Sequence, residues 1–171
     1  DKALILQLSS GQWLRDGLGL IDSPHVTASL AAAAKTKSRV YFVPAFTGLG
    51  APHWDSYARG ALYGLTHDTG RPEIARATLE AVCYQARDLF VAMASDGAKP
   101  PNVLRVDGGF ASNDWAMQFL SDILGLAVER PALIETTALG AASLAGIQAG
   151  IYPGLEELSL QWRYKVRFTP N

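Results

Sequence analysis

The stretch VLRVDGGFASNDWAMQFLSDILG, from Val103 to Gly125, decides the fold class. It opens on a short apolar run, Val103-Leu104-Arg105-Val106, that reads as a buried strand, and it passes through Asp107-Gly108-Gly109 into a helix over roughly residues 113–124. In that helix Trp115, Met117, Phe119, Leu120, Ile123 and Leu124 lie nearly all round the axis, which predicts burial on more than one side. Gly125 stops it. A strand that ends in two glycines and turns into a helix brings bare backbone close to a ligand and aims helix-start N–H groups at it, a geometry that suits phosphate. Ordinary turn chemistry accounts for the same residues without a ligand, because glycines end strands and Ser112 or Asn113 caps a helix.

Working outward, the chain alternates strands and helices. Downstream, Leu126-Ala127-Val128 reads as a strand and Thr137 to Ala149 as a helix crowded with Ala and Gly, whose small residues suit close packing between helix and sheet or, as the alternative, the close approach of a planar ligand. At the end, Trp162, Tyr164, Val166 and Phe168 alternate with Arg163, Lys165 and Arg167, the pattern of a half-exposed terminal strand. Upstream, Pro72 fits the first turn of a long helix with a stripe of Leu79, Val82, Ala86, Leu89, Phe90 and Met93. Glu73 with Arg76 and Arg76 with Glu80 are spaced as helical ion pairs. Gly60 to Thr66 and Val40 to Val43 read as strands, and the residues 45–55 between them as an ordered, packed loop. Residues 11–21, with Trp13, Leu14, Leu18 and Ile21, and residues 24–35 read as two short helices. The pattern is α/β: a mixed sheet with flanking helices.

Composition bounds the function. A chain of 171 residues is the length of one domain, and 49% hydrophobic with 18% charged residues gives it a core and excludes a disordered chain. Fifteen Lys and Arg against sixteen Asp and Glu leave a net charge of −1, with no electrostatic footprint for nucleic acid or anionic lipid. The single cysteine, Cys83, excludes an intramolecular disulfide framework and suits the cytoplasm. No membrane-spanning apolar run is present, and the absent initiator Met predicts a chain processed or cut from something longer. His25, His53 and His67 are scattered, so no metal site is expected. Arg71, Arg76 and Arg87 read as a solvated helix face rather than phosphate binders. No nucleophile elbow, Walker loop or His-Glu-x-x-His occurs.

The run Phe42-Val43-Pro44-Ala45-Phe46-Thr47-Gly48-Leu49-Gly50-Ala51-Pro52-His53-Trp54-Asp55, continued to Arg59-Gly60, resembles the glycerol kinases. Gly60 to Leu65 with Glu73-Ile74 and Ala77 to Glu80, then Asp107-Gly108-Gly109, resemble signatures of the wider carbohydrate kinase family. With Gln12 to Asp16 before them and Glu135 to Ala142 after, the likeness covers about residues 11–155. It implies the C-terminal, adenosine-binding lobe of an actin-like (ribonuclease H-like) ATPase fold, at about residues 11–160, with a poorly matched segment 1–10 and a terminal strand or tail 161–171. By the same resemblance Gly108, Gly109 and Asn113 would contact ATP or ADP and Gln12 would line the adenine pocket.

Two departures stand out: Leu8 where the family has a nucleotide-contacting glycine, and Asp114 in place of a second Asn, a carboxylate expected to point away from the phosphates. The resemblance implies an ATP:glycerol 3-phosphotransferase using Mg²⁺, with glycerol and ATP as substrates, a homo-oligomer as full-length enzyme. It also implies that the aspartate base, phosphate hairpin and polyol-binding residues precede Asp1, so that no catalytic residue lies in this chain and the chain alone is inactive. A kinase for another polyol or a pentulose, or a non-catalytic nucleotide-binding or interaction domain, are the alternatives.

Overall fold

A computed structural model describes residues 9–99, 101–133, 136–160 and 163–171, and Leu8, Glu135 and Trp162 lie outside them. In chain order the elements are helices α1 (Ser9–Gln12) and α2 (Thr27–Ala33), strands β1 (Tyr41–Val43) and β2 (Ala61–Tyr63), and helix α3 (Arg71–Ser95). Strand β3 (Val103–Arg105), helices α4 (Gly108–Ala111) and α5 (Asp114–Leu124), strand β4 (Ala127–Pro131), helices α6 (Thr136–Gln148) and α7 (Leu155–Leu160) and strand β5 (Tyr164–Phe168) follow. The chain is α/β. Its three-stranded sheet is mixed, with β3 parallel to β4 and β5 antiparallel to β4, and β1 and β2 form a separate antiparallel pair.

Helix α3 is the axis of the fold. Pro72 sits in its first turn, and the Glu73 carboxylate reaches back to accept the Gly70 N–H at 2.9 Å, closing one end of the helix. The other Glu73 oxygen accepts the Lys35 N–H at 3.2 Å and ties the helix to the end of α2. This use of Glu73 replaces the expected pair with Arg76, whereas Arg76 and Glu80 do meet, at 2.6 Å. Every residue from Ala77 to Cys83 is buried, so the helix is enclosed on all sides there rather than along one stripe. Ala77 and Ala81 face β1, while Leu79, Cys83 and Ala86 face α5 and the mixed sheet. Small side chains at Ala75, Ala77, Ala81 and Ala86 permit that close approach. Towards its end Leu89, Phe90 and Met93 are only half-buried.

Two clusters form the core. The larger joins α3, α5, β4 and β5 through Met117, Leu120, Val128 and Phe168. Expected burial of α5 on more than one side holds, and Gly125, at φ 64°, ends it in the left-handed conformation. The smaller cluster is aromatic. Trp13 stacks on Phe42 with centroids 5.2 Å apart, and Phe46 tilts against both rings.

Four local expectations are corrected. The helix expected over 11–21 stops at Gln12 and widens into a π-helical turn, Trp13–Gly17, leaving Leu18 exposed. A Cβ at Gly17 would lie 2.7 Å from Trp13 Cδ1, so any larger residue there would have to push the indole aside. The strand expected over 60–66 ends at Tyr63, because Gly64 turns out at φ 76° and packs its α-carbon against the Arg39 carbonyl. The loop after β1 is ordered but packed only at its start, where Ala45 is buried and Phe46 lies against Trp13 and Phe42. Leu49 N–H bonds Asp55 O at 2.7 Å, and Asp55 Oδ1 accepts the Tyr57 and Ala58 N–H groups, yet Trp54 and Tyr57 are 79% and 88% exposed. Finally, α6 does not pack on the sheet: Gly146, lying against the Tyr152 ring, is its one buried residue. The terminal strand β5 is half-exposed as expected, with Phe168 buried and Tyr164 open.

Candidate functional site

The turn after β3 is built from glycine and two capping side chains. Gly108 has φ 77°, a conformation that L side chains rarely adopt, and it starts the single-turn helix α4. Ser112 Oγ donates back to Gly109 O at 2.6 Å and ends that turn. Asn113 then caps α5, its Oδ1 accepting the Ala116 N–H at 3.0 Å. The sequence places the two glycines in a turn ahead of a helix that starts near Ser112 or Asn113, whereas in the structure they open a short helix of their own, α4, before α5 begins at Asp114. Asn113 also reaches across the fold, with Nδ2 donating to Thr27 Oγ1 at 3.1 Å, while Thr27 donates to Pro24 O at 2.6 Å. The starts of α2 and α5 are thereby locked together.

Between these helix starts lies a cavity of about 440 Å³. Ser10, Gly11 and Gln12 of α1 form one wall, and Pro24, His25, Thr27 and Ala28 another. Thr78, Leu79 and Val82 of α3 make the floor, and Gly109, Phe110, Ser112 and Asn113 close it. Of the residues singled out from sequence, Gln12, Gly109 and Asn113 thus meet around one space, though nearly a hundred residues separate the first from the others. Gly108 does not line it and acts through its backbone conformation. A Cβ at Gly109 would meet no heavy atom within 4 Å, so the backbone there is open to a ligand. No local pattern could have indicated Ser10, Pro24, Thr27 or Thr78, because their place in the wall depends on α2 and α3 packing beside α1.

The polar side chains of the wall are mostly committed. Thr27 and Asn113 bond each other, Ser112 bonds Gly109 O, and Thr78 Oγ1 donates to Ile74 O at 2.8 Å. Ser10 is buried, and its hydroxyl has no partner. Among the described residues that line the cavity there is no Lys or Arg and one His, His25, and much of the wall is apolar, which suits a largely neutral group.

The other charged candidates sit elsewhere. Asp114 is turned onto Arg130, 2.7 Å from Nη1, which also holds Ala111 O, and it does not line the cavity. Arg71 and Arg87 are exposed, as expected of a solvated face, whereas Arg76 is half-buried, paired with Glu80 and stacked over Trp115. Thr136 at the start of α6 donates to Asp107, which pins that helix start to the end of β3. Among the described residues no group of three His, Cys, Asp or Glu side chains could hold a metal ion, and no helix is long and apolar enough to cross a membrane.

Comparison with known proteins fits this arrangement. Residues 4–149 match the C-terminal domain of the FGGY family of carbohydrate kinases. Glycerol kinase of Ectopseudomonas mendocina is 57% identical over 160 residues, which are 94% of this chain and 32% of that protein. Glycerol kinase 1 of Pseudomonas aeruginosa shows the same identity and coverage. The chain thus spans about a third of the length of these relatives. Among solved structures, Plasmodium falciparum glycerol kinase with ADP superimposes with a TM-score of 0.82 at 39% identity, covering 95% of this chain and 32% of that one. Xylulose kinase from Lactobacillus acidophilus gives 0.76 at 28% identity, covering 95% and 33%. The architecture is therefore that of a lobe of the actin-like ATPase fold, and the chain belongs to the FGGY family of carbohydrate kinases as its C-terminal domain.

Proposed function

We propose that this chain is the nucleotide-binding lobe of a glycerol kinase, an ATP:glycerol 3-phosphotransferase that makes glycerol 3-phosphate in the cytoplasm. The observation that carries the reading is the convergence of Gln12, Gly109 and Asn113 on one cavity with no Lys or Arg among its described lining residues. Such a cavity takes the uncharged nucleoside and leaves the phosphates to extend past the open backbone of Gly109. Glycerol is favoured over a pentulose by the 57% identity to glycerol kinases.

The chain's own residues bind and orient. Asn113 and Thr27 hold two helix starts in one geometry, and the apolar wall excludes water around the base. In-line transfer also needs acceptor, base and Mg²⁺ held against the γ-phosphate. Among the described residues no group of three or more His, Cys, Asp or Glu side chains could hold a metal ion, and on this reading the remainder of the protein supplies the Mg²⁺ and acceptor sites. Residues 11–160 act as the lobe and 161–171 as its terminal strand, and the full-length enzyme is a homo-oligomer.

The test compares the full-length protein with the 171-residue chain in a coupled assay for glycerol 3-phosphate. The full-length protein should turn over ATP with glycerol in preference to xylulose, and the chain alone should be silent. Steady turnover by the chain, or preference for a pentulose, would overturn the assignment.

A further inference from the structure

We propose that α6 is the docking element for the rest of the full-length protein, which closes over it on more than one side. This rests on the reading of the chain as one lobe of a longer enzyme. The twenty residues from Thr136 to Leu155 hold no Asp, Glu, Lys or Arg, although 18% of the chain is charged. A helix without a charged face belongs in an interior. Among the described residues, however, almost nothing covers α6. Leu139, Ala141, Ala142, Leu144 and Ala145 are all exposed, and at about 3.6 residues per turn they span more than half the circumference of the helix. A Cβ at Gly140 would meet no heavy atom within 4 Å. Leu144 is 58% exposed, and Ile151, just past the helix end, is 72% exposed.

The helix is nevertheless held at both ends. Thr136 donates to Asp107 at the end of β3, while Ile151 N–H bonds Gly146 O at 2.8 Å and the Tyr152 ring lies against Gly146. An apolar rod is thus presented from a fixed base, and its shape and chemistry select the occupant. With no charge on the rod, nucleic acid or a charged peptide gains no ion pair from it. A second copy joined by a twofold contact would lay one face against one face and leave the other exposed side chains in water. Covering more than half the circumference takes polypeptide on several sides. The rest of the protein supplies it: this chain matches a C-terminal domain and spans 32% of the length of its glycerol kinase relatives.

The test is hydrogen–deuterium exchange of α6 in the full-length protein and in the 171-residue chain, each at two concentrations and referenced to the buried helix α5, beside thermal melts of Leu144→Glu in both. In the full-length protein α6 should exchange about a hundredfold or more slower than in the chain, where a helix packed on so little opens readily. Leu144→Glu should lower the full-length melting temperature by about 5 °C or more and leave the chain within about 1 °C of wild type, because only the full-length protein buries the position. Equal exchange of α6 in the two proteins, fast or slow, would overturn the inference, as would a full-length Leu144→Glu that melts like wild type. Protection in the chain that grows with its concentration would overturn it too, by assigning α6 to a second copy. A full-length protein that protects α6 yet makes no glycerol 3-phosphate would support the inference and overturn the kinase assignment alone.

Discussion

Replacing Asn113 with alanine should weaken the fold before any question of ligand arises. Its Oδ1 holds the Ala116 N–H at 3.0 Å as the cap of α5, and its Nδ2 holds Thr27 Oγ1 at 3.1 Å across the cavity. Loss of an Asn cap costs about 1 kcal/mol. Loss of a half-buried hydrogen bond costs about the same again, because Thr27 is buried and water cannot fully replace the amide. The expected sum is about 2 kcal/mol, or roughly 4–8 °C in melting temperature for a chain of this size. Asn113→Asp separates the two contributions. It keeps the cap acceptor, adds a charge that favours a helix start, and loses the donor to Thr27, so it should cost less than about 1 kcal/mol. Urea denaturation at pH 7 with a constant m-value is the assay. An alanine variant within about 0.5 kcal/mol of wild type, or an Asp variant as damaged as the alanine one, would refute the account of Asn113 as the clasp between α2 and α5.

Gly109→Val should leave the melting temperature within 2 °C or so of wild type, since a Cβ there meets no heavy atom within 4 Å, yet lower ADP affinity at least about tenfold by covering the open backbone. Parallel melts and titrations decide it. The N–H groups of Gly70 and, second, Lys35 hold the Glu73 carboxyl below its ordinary range despite burial. A carboxyl whose folded value is depressed contributes stability above its unfolded value of about 4.3, and that contribution is lost as pH falls through the folded value. Glu73→Gln should therefore be less stable than wild type at pH 7, with the gap closing below about pH 4 in acid denaturation curves. Burial, with the Glu80 charge second, pushes the Cys83 thiol up to about 12. Iodoacetamide at pH 8 should label Cys83 only as fast as the chain unfolds, and rapid labelling of the folded protein would contradict its place between α3 and α5.

The legible part of the fold was the part in which side-chain pattern and backbone chemistry agree. Asp107-Gly108-Gly109, the all-round apolar α5 and the Gly125 stop each pointed to what is found, because those residues constrain their own backbone whatever packs on them. Glu73 shows the opposite case. Its spacing to Arg76 suits an ion pair, but its carboxylate is taken by two backbone N–H groups, one of them 38 residues away, while Arg76 pairs with Glu80. The enclosure of α3 was equally hidden, since Ala77, Ala81 and Cys83 are buried by neighbours on both sides and a single apolar stripe describes only one.

The site divides in the same way. Gly109 and Asn113 are marked both by the glycine turn and by likeness to a family, Gln12 by likeness alone, and all three line one cavity. Ser10, Thr27 and Thr78 carried no local signal, as each is an ordinary helix residue until α1, α2 and α3 meet. α6 was misread because its Ala and Gly residues fit close packing, and within this chain Gly146 alone finds it.

The most direct test of the account is a titration of the ¹⁵N-labelled 171-residue chain with ADP, followed residue by residue. The central claim predicts saturable, weak shifts at Ser10, Gln12, Gly109 and Asn113, the residues that share the cavity, with Trp54 and Tyr57 in the exposed loop unmoved. Shifts confined to that loop, or to the exposed face of α6, would contradict it.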